Sequence, residues 1–317
     1  MISFIKIYLK IILVFALFSC NPFCEAQIIT LDTTKIETVA VKVKKEFNKD
    51  DFIRMTKTDT SFYRAFKNLK MFPHITDNIV EVFDKSWQPI GEMSRKSSHF
   101  SNGKQGWIII NNETSDGKYY NKKGNHKYFT AEMYDKVFFS EDTFPVNNKV
   151  SEAYSQEKLR GMSTKDKYYE KLKTFMFSPG TGVKGVPIIG KKLNIYEGKM
   201  MNLYNFKLEK TFFKDTIPVF KFSVLQKSKT LEKDIVITKI ITFYDRRTMQ
   251  VIARSYALKD RNALMEFDIK MYIELKHEFG EYLPVIIKYN GQWDVPFKKS
   301  ERIKFRMTCS DYSKPVN

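Results

Sequence analysis

Phe267-Asp-Ile-Lys-Met-Tyr-Ile-Glu-Leu275 decides the architecture. Phe267, Ile269, Met271, Ile273 and Leu275 occupy alternate positions, with Asp268, Lys270, Tyr272 and Glu274 between them. Successive side chains of a strand point to opposite faces, so this period predicts a β-strand with one wholly apolar face. The pattern repeats on both sides. Phe206–Phe212, Val219–Leu225 (with Phe220, Phe222 and Val224 on one face), Ile235–Tyr244 and Val251–Leu258 precede it, and Val285–Tyr289 and Arg302–Thr308 follow. The links are short and polar: Lys214-Asp215, Asp245-Arg246, Lys259–Asn262, Glu278–Glu281 and Asn290-Gly291. Such links join neighbours antiparallel, because a parallel pair needs a crossover of a dozen or more residues. The expectation is a twisted meander of about seven strands.

An apolar sheet face must be covered. Thr34-Lys-Ile-Glu37 has the form of a capping box, and Ile36, Val39, Ala40, Val43 and Phe47 follow at helical spacing. Ser163-Thr-Lys-Asp166 opens a second such segment at Thr164–Phe175, with Tyr168, Leu172 and Phe175 on one face. Ser61–Met71 suits a short helix, although its aromatic content would also suit a strand. Ile79–Lys85 and Pro89–Met93 flank a Ser86-Trp87-Gln88 turn as a hairpin, and Trp107–Ile110 and Tyr128–Ser140 read as further strands. Asn111–Gly124 reads as an exposed loop, and the acidic pairs Asp50-Asp51 and Glu141-Asp142 as solvated loops. The fold class is α+β, mostly antiparallel β: a twisted meander or unclosed half-barrel packed on one or two helices. The division is 1–26 as leader, 27–162 as N-terminal helix and hairpin region, and 163–317 as helix plus meander. Residues 27–317 also suit a single domain.

The leader carries Lys6 and Lys10, the apolar run Ile11–Phe18, and Cys24-Glu25-Ala26 before Gln27. These are the parts of a secretory signal peptide, and the run is too short for a spanning helix. Two endings fit: cleavage after Ala26, or a lipobox at Leu17-Phe18-Ser19-Cys20 with the lipid on Cys20. The first leaves Cys309 as the sole thiol, and the second leaves Cys24 and Cys309. Neither provides a disulfide framework. The net charge is +18. Without Lys6, Lys10 and Glu25, 52 basic and 35 acidic residues leave +17. In an exported protein that excess points to anionic lipid or envelope polysaccharide rather than nucleic acid. The destination is the periplasm or outer membrane, or secretion.

No motif supports catalysis, a cofactor or a metal. Gly185-Val-Pro-Ile-Ile-Gly190-Lys191-Lys192 has P-loop spacing, but Lys192 stands where a hydroxyl must hold magnesium, and Pro187 removes a backbone donor. His74, His99, His126 and His277 are scattered, and no Gly-x-Ser-x-Gly elbow occurs. Two surfaces remain. Phe267, Ile269, Met271, Ile273 and Leu275, with Phe220 and Phe222, offer an apolar ligand face. Arg302, Lys304 and Arg306 alternate with Ile303, Phe305 and Met307, giving a basic stripe. The stripe suits an anionic surface, or an edge strand guarded by charge.

From Tyr204 to Thr308, the order of strand, Lys214-Asp215-Thr216 turn, strand, loop, a strand ending Thr242-Phe-Tyr-Asp245, Arg246-Arg-Thr248 turn and Val251 strand resembles the C-terminal meander of periplasmic lipoprotein carriers of the LolA type. It is similar also to the sheet region of exported envelope proteins that carry regulatory β-modules. The resemblance implies an unclosed barrel over helices whose concave face receives acyl chains, and no catalysis. The expected function is a non-enzymatic envelope protein binding lipid, a lipidated protein or another apolar ligand. A surface-anchored structural or interaction module is the alternative, and an envelope hydrolase with dispersed catalytic residues the third reading. The sequence leaves the oligomeric state open.

Overall fold

The computed structural model describes residues 47–139, 143–147, 190–228, 230, 234–261, 266–294 and 300–316. The leader with Cys20 and Cys24, the segment 34–46, the helix expected at 164–175, the Gly182-to-189 stretch and Glu141-Asp142 lie outside them. In chain order come α1 (Lys49–Thr58), α2 (Ser61–Met71), β1 (His74–Phe83), β2 (Pro89–Ser101), β3 (Gln105–Gly117), α3 (Phe129–Phe138) and β4 (Phe144–Pro145). A 3₁₀ turn at Gly190–Leu193 and α4 (Gly198–Met201) lead into β5 (Tyr204–Phe213), β6 (Ile217–Gln226), β7 (Ile237–Asp245), β8 (Val251–Arg261), β9 (Glu266–Glu278), β10 (Glu281–Asp294) and β11 (Glu301–Ser310).

The eleven strands among the described residues join one unclosed sheet in the order β4-β3-β2-β1-β11-β10-β9-β8-β7-β6-β5. Each pairing among the described strands is antiparallel. The seven strands expected from the period-2 pattern are β5–β11. Their turns follow local chemistry: Phe279 and Gly280, both at positive φ (57° and 77°), make the two-residue link between paired Glu278 and Glu281. The new feature is closure of the meander onto the N-terminal hairpin, β11 against β1 from Ile75↔Ser310 to Phe83↔Arg302.

The inner face is lined by Val80 and Val82 of β1, Ile303, Phe305 and Met307 of β11, and the alternate apolar residues of β6–β10, in one continuous core with the helices. Phe52 of α1 packs 5.2 Å from Phe220, 5.9 Å from Phe222 (stacked) and 5.2 Å from Tyr244 (edge-on). Tyr134 and Phe138 of α3 meet Phe305 at 4.5 and 6.0 Å. The α2 helix is tied to β10 through Arg64 Nε–Glu281 Oε2 (2.6 Å) and Asn68 Nδ2 to the Tyr282 carbonyl (2.8 Å).

Four expectations are corrected. Tyr128–Ser140 is not strand but contains α3: Thr130, Ala131, Met133, Tyr134, Val137 and Phe138 are buried at helical spacing. Its start lacks a side-chain cap of its own; Glu301 of β11 accepts from the Phe129 and Thr130 amides (2.8 and 2.9 Å) and the Thr130 hydroxyl (2.7 Å). Asp50-Asp51 is not a loop but the first turn of α1: Asn48 accepts from the Asp50 and Asp51 amides, and the Asp51 carboxylate returns to the Asn48 amide. Asn111–Gly117 is not loop but the second half of β3, held on β2. And β11 is not an edge strand, because β1 and β10 flank it.

Candidate functional site

The expected apolar ligand face is filled by the protein itself. Phe267, Ile269, Met271, Ile273, Leu275, Phe220, Phe222 and Val224 are all buried, none more than 9% exposed. The helices that cover them include α1, which the sequence reading missed. The Tyr256 hydroxyl donates to Met271 Sδ (2.8 Å), and the Trp293 ring packs 5.2 Å from Phe267. A gap of about 10 Å³ beside Phe66, Val137 and Met307 is too small for a ligand.

The opposite face differs. A trough of about 810 Å³ crosses the middle of the sheet from β7 to β2. Strand register explains its lining. One row runs Lys239↔Ala257↔Lys270↔Asn290↔Lys304, and then meets Glu81 and Glu92 on β1 and β2. The row beside it, two residues along each strand, runs Ser255↔Tyr272↔Lys288↔Arg306 and ends at Ile79. Short side chains (Ala257, Ser255, Asn290) form the floor, and long cations rise around it.

Lys304 and Arg306 of the expected basic stripe therefore stand in a built hollow, together with Lys239, Lys270 and Lys288. Arg302 is turned aside: its guanidinium donates to Gln292 Oε1 (3.2 Å) and the Asp84 carbonyl (3.1 Å), and lies 5.6 Å from the Trp87 ring. Lys304 Nζ sits over Phe83 (4.3 Å) and Trp87 (5.4 Å), so the trough opens beside the β1–β2 turn. The three lysines that complete the set were missed. Each lies on the polar face of a correctly read strand, but their alignment across four strands depends on register, which no single strand displays.

Several cations elsewhere on the sheet and its turns are paired. Lys214 meets Glu274 (2.5 Å), Lys221 meets Glu209 (3.5 Å), Arg261 meets Glu266 (2.8 Å) and Arg247 meets Asp245 (3.0 Å). Lys239, Lys270, Lys288, Lys304 and Arg306 have no ion pair with a described carboxylate. Glu81 faces Lys304 across the ladder without closing on it.

The interior holds ionisable groups that serve packing. Arg254, buried, donates to Asp59 (2.6 Å) and Thr242 (3.0 Å) and lies 4.3 Å from the Phe62 ring. Arg95 grips Asp135 with two nitrogens (2.8 and 3.0 Å) and Glu113 with a third (2.6 Å). Burial alone would raise the Asp135 carboxyl, but contacts with His126 and Arg95 outweigh it and hold the group below the usual range. His74 and His99, distant in sequence, stack at 4.2 Å. Burial pushes the Cys309 thiol up to about 12. Among the described residues no three His, Cys, Asp or Glu converge as a metal site, and no helix is long and apolar enough to cross a membrane.

No protein-family model matches the chain, and no curated protein does. Solved structures do. The chain is similar in structure to LolA-superfamily proteins. One from Nitrosomonas europaea is 8% identical with a TM-score of 0.22, over 81% of this chain and 94% of that one. An outer membrane lipoprotein-sorting protein domain from Vibrio parahaemolyticus is 9% identical with a TM-score of 0.26, over 84% and 93%. A DUF1329 family protein from Desulfovibrio piger is 11% identical with a TM-score of 0.24, over 82% and 94%. Identities and scores this low leave the ligand to be read from this chain's own residues.

Proposed function

We propose that the protein is a non-enzymatic, exported protein of the cell envelope, in the periplasm or at the outer membrane, that binds an anionic envelope component in the outer trough. The observation that carries this is the gathering of five cations, none ion-paired to a described carboxylate, in one hollow. Keeping like charges together costs stability, which an anionic ligand offsets. Export rests on the leader, with Cys20 lipidation as one of its two endings. Three half-buried acids have structural occupations: Asp59 holds Arg254, Asp135 holds Arg95 and Glu301 caps α3. An apolar ligand on the inner face would have to displace α1 and its aromatic contacts. The outer face is open as it stands.

The test is binding of two anionic probes, heparin and phosphatidylglycerol vesicles, by the intact protein and by Lys270→Glu/Lys288→Glu. Loss of binding in the folded double variant, and not in Lys122→Glu/Lys210→Glu, is expected. Absence of binding to either probe by the parent rejects the trough as the ligand side.

A further inference from the structure

We infer that the trough takes a thread-like acidic polysaccharide lying across the strands; this rests on the anionic-ligand reading above. Its shape is the first ground. A strongly twisted sheet wrapped over helices is saddle-shaped: it closes around them across the strands and curves away along the strands. The outer face is therefore hollowed at mid-strand, where Lys270, Lys288 and Lys304 sit. A flat bilayer touches the rims of such a waist before its floor. A flexible chain can lie along it.

The spacing of charge is the second ground. In the first row the cations fall on alternate strands, Lys239 on β7, Lys270 on β9 and Lys304 on β11, with Ala257 and Asn290 between them. Neighbouring strands lie about 4.8 Å apart, so these charges repeat about every 9.6 Å and span about 19 Å. Lys288 and Arg306 add charge from the second row on β10 and β11. A row of separated point charges matches a polymer with separated anions, not a single compact headgroup. Lysine suits this use, being a mobile cation with three donors that does not demand a planar partner.

The floor is the third ground. The main-chain groups of β8–β11 face one another in unbroken neighbour-to-neighbour ladders along this stretch, so a peptide lying there finds no strand edge to join. Asn290, Ser255 and the Tyr272 ring offer what a sugar uses instead, side-chain hydrogen bonds and an aromatic surface. Tyr272 is held in place by its hydroxyl's bond to Glu274 (3.0 Å).

The experiment titrates the intact protein with heparin fragments of increasing length, neutral dextran, polyglutamate and phosphatidylglycerol vesicles, by calorimetry at two salt concentrations. Expected are salt-weakened binding of heparin with one fragment per protein, affinity that rises until a fragment spans about 19 Å and then levels, and no dextran binding. Lys239→Gln/Lys270→Gln/Lys304→Gln lowers heparin affinity by about tenfold or more with circular dichroism unchanged. Lys118→Gln/Lys122→Gln/Lys210→Gln, with the same loss of charge, leaves it within about twofold. Vesicle binding lost in the trough variant, without heparin binding, overturns the polysaccharide but keeps the anionic trough. Polyglutamate binding equal to heparin also overturns it. Failure of all polyanions removes both readings.

Discussion

His74 and His99 stack on each other in the interior. The His74 ring donates Nδ1–H to the Phe72 carbonyl (2.7 Å), since only an N–H can meet that oxygen, and Nε2 is left without a partner. Burial pushes His74 down to about 4, against the opposing effect of the Phe72 bond. Burial, then the charges of His74 and Lys70, lowers His99. Both rings are therefore neutral in the folded state at neutral pH, while unfolded histidines protonate near pH 6.5. The stability this provides is complete above the unfolded value and is lost as pH falls from about 6.5 towards 4. For His74 alone the loss by pH 4 is about 3 kcal/mol, an order-of-magnitude figure. Urea unfolding at pH 7, 6 and 5 should show a falling midpoint that His74→Phe flattens; equal slopes for parent and variant refute the assignment. Cys309, buried beside Tyr312, should not react with a thiol reagent at pH 8 until the protein is unfolded. Arg254 is a buried charge held by Asp59. Arg254→Met leaves Asp59 unpaired and should cost roughly 3–5 kcal/mol, read as a lowered urea midpoint.

The α3 helix has borrowed its start. Tyr128 at the N-cap position makes no side-chain cap, and Glu301 supplies three acceptor contacts from a strand 171 residues beyond Thr130. Glu301→Ala should therefore cost about 0.5–2 kcal/mol and raise amide exchange in Phe129–Met133 above that in the rest of α3; uniform exchange would refute the cap. This dependence also explains the misreading of Tyr128–Ser140. Its helical spacing was present, but no local start signal accompanied it, and its aromatic residues favoured strand. The α1 start is written in the sequence: Asn48-Lys-Asp-Asp51 is a capping box, but paired aspartates beside lysines also read as solvent-facing charge. β5–β11 were legible because period 2 is a local property. β11's central place was not, because its partner β1 lies more than 200 residues away and pairing across that distance leaves no local mark. The same limit hid the site: Arg302, Lys304 and Arg306 were visible on one strand, Lys239, Lys270 and Lys288 only after register was known. The buried inner position of Met271, 3% exposed, means that Met271→Ala should cost about 2–5 kcal/mol. Met271→Arg would unfold the sheet and cannot test a surface.

At the scale of the molecule, the two faces of the sheet work in opposite directions. The inner face supplies stability through aromatic and aliphatic packing on α1, α2 and α3. The outer face holds positive charges close to one another with little to neutralise them. On a ladder, Lys270 and Lys288 are diagonal neighbours, as are Lys288 and Lys304, and such diagonals lie about 7–8 Å apart, inside the Debye length at 0.15 M salt. Their repulsion acts only in the folded state, so removing it should stabilise the protein. Lys239→Gln/Lys270→Gln/Lys304→Gln is expected to raise the Tm by a few degrees at low salt, a gain of about 1 kcal/mol. Added salt should shrink that gain, because exposed charges are screened. Heparin should raise the Tm of the parent, since a ligand that binds the folded state stabilises it by mass action, and should leave the triple variant's Tm almost unchanged. The pair of outcomes distinguishes a binding trough from an incidental basic surface. Incidental charge gives no heparin-dependent rise that the three substitutions remove, and a triple variant that is less stable than the parent would mean that the lysines support the sheet instead of straining it.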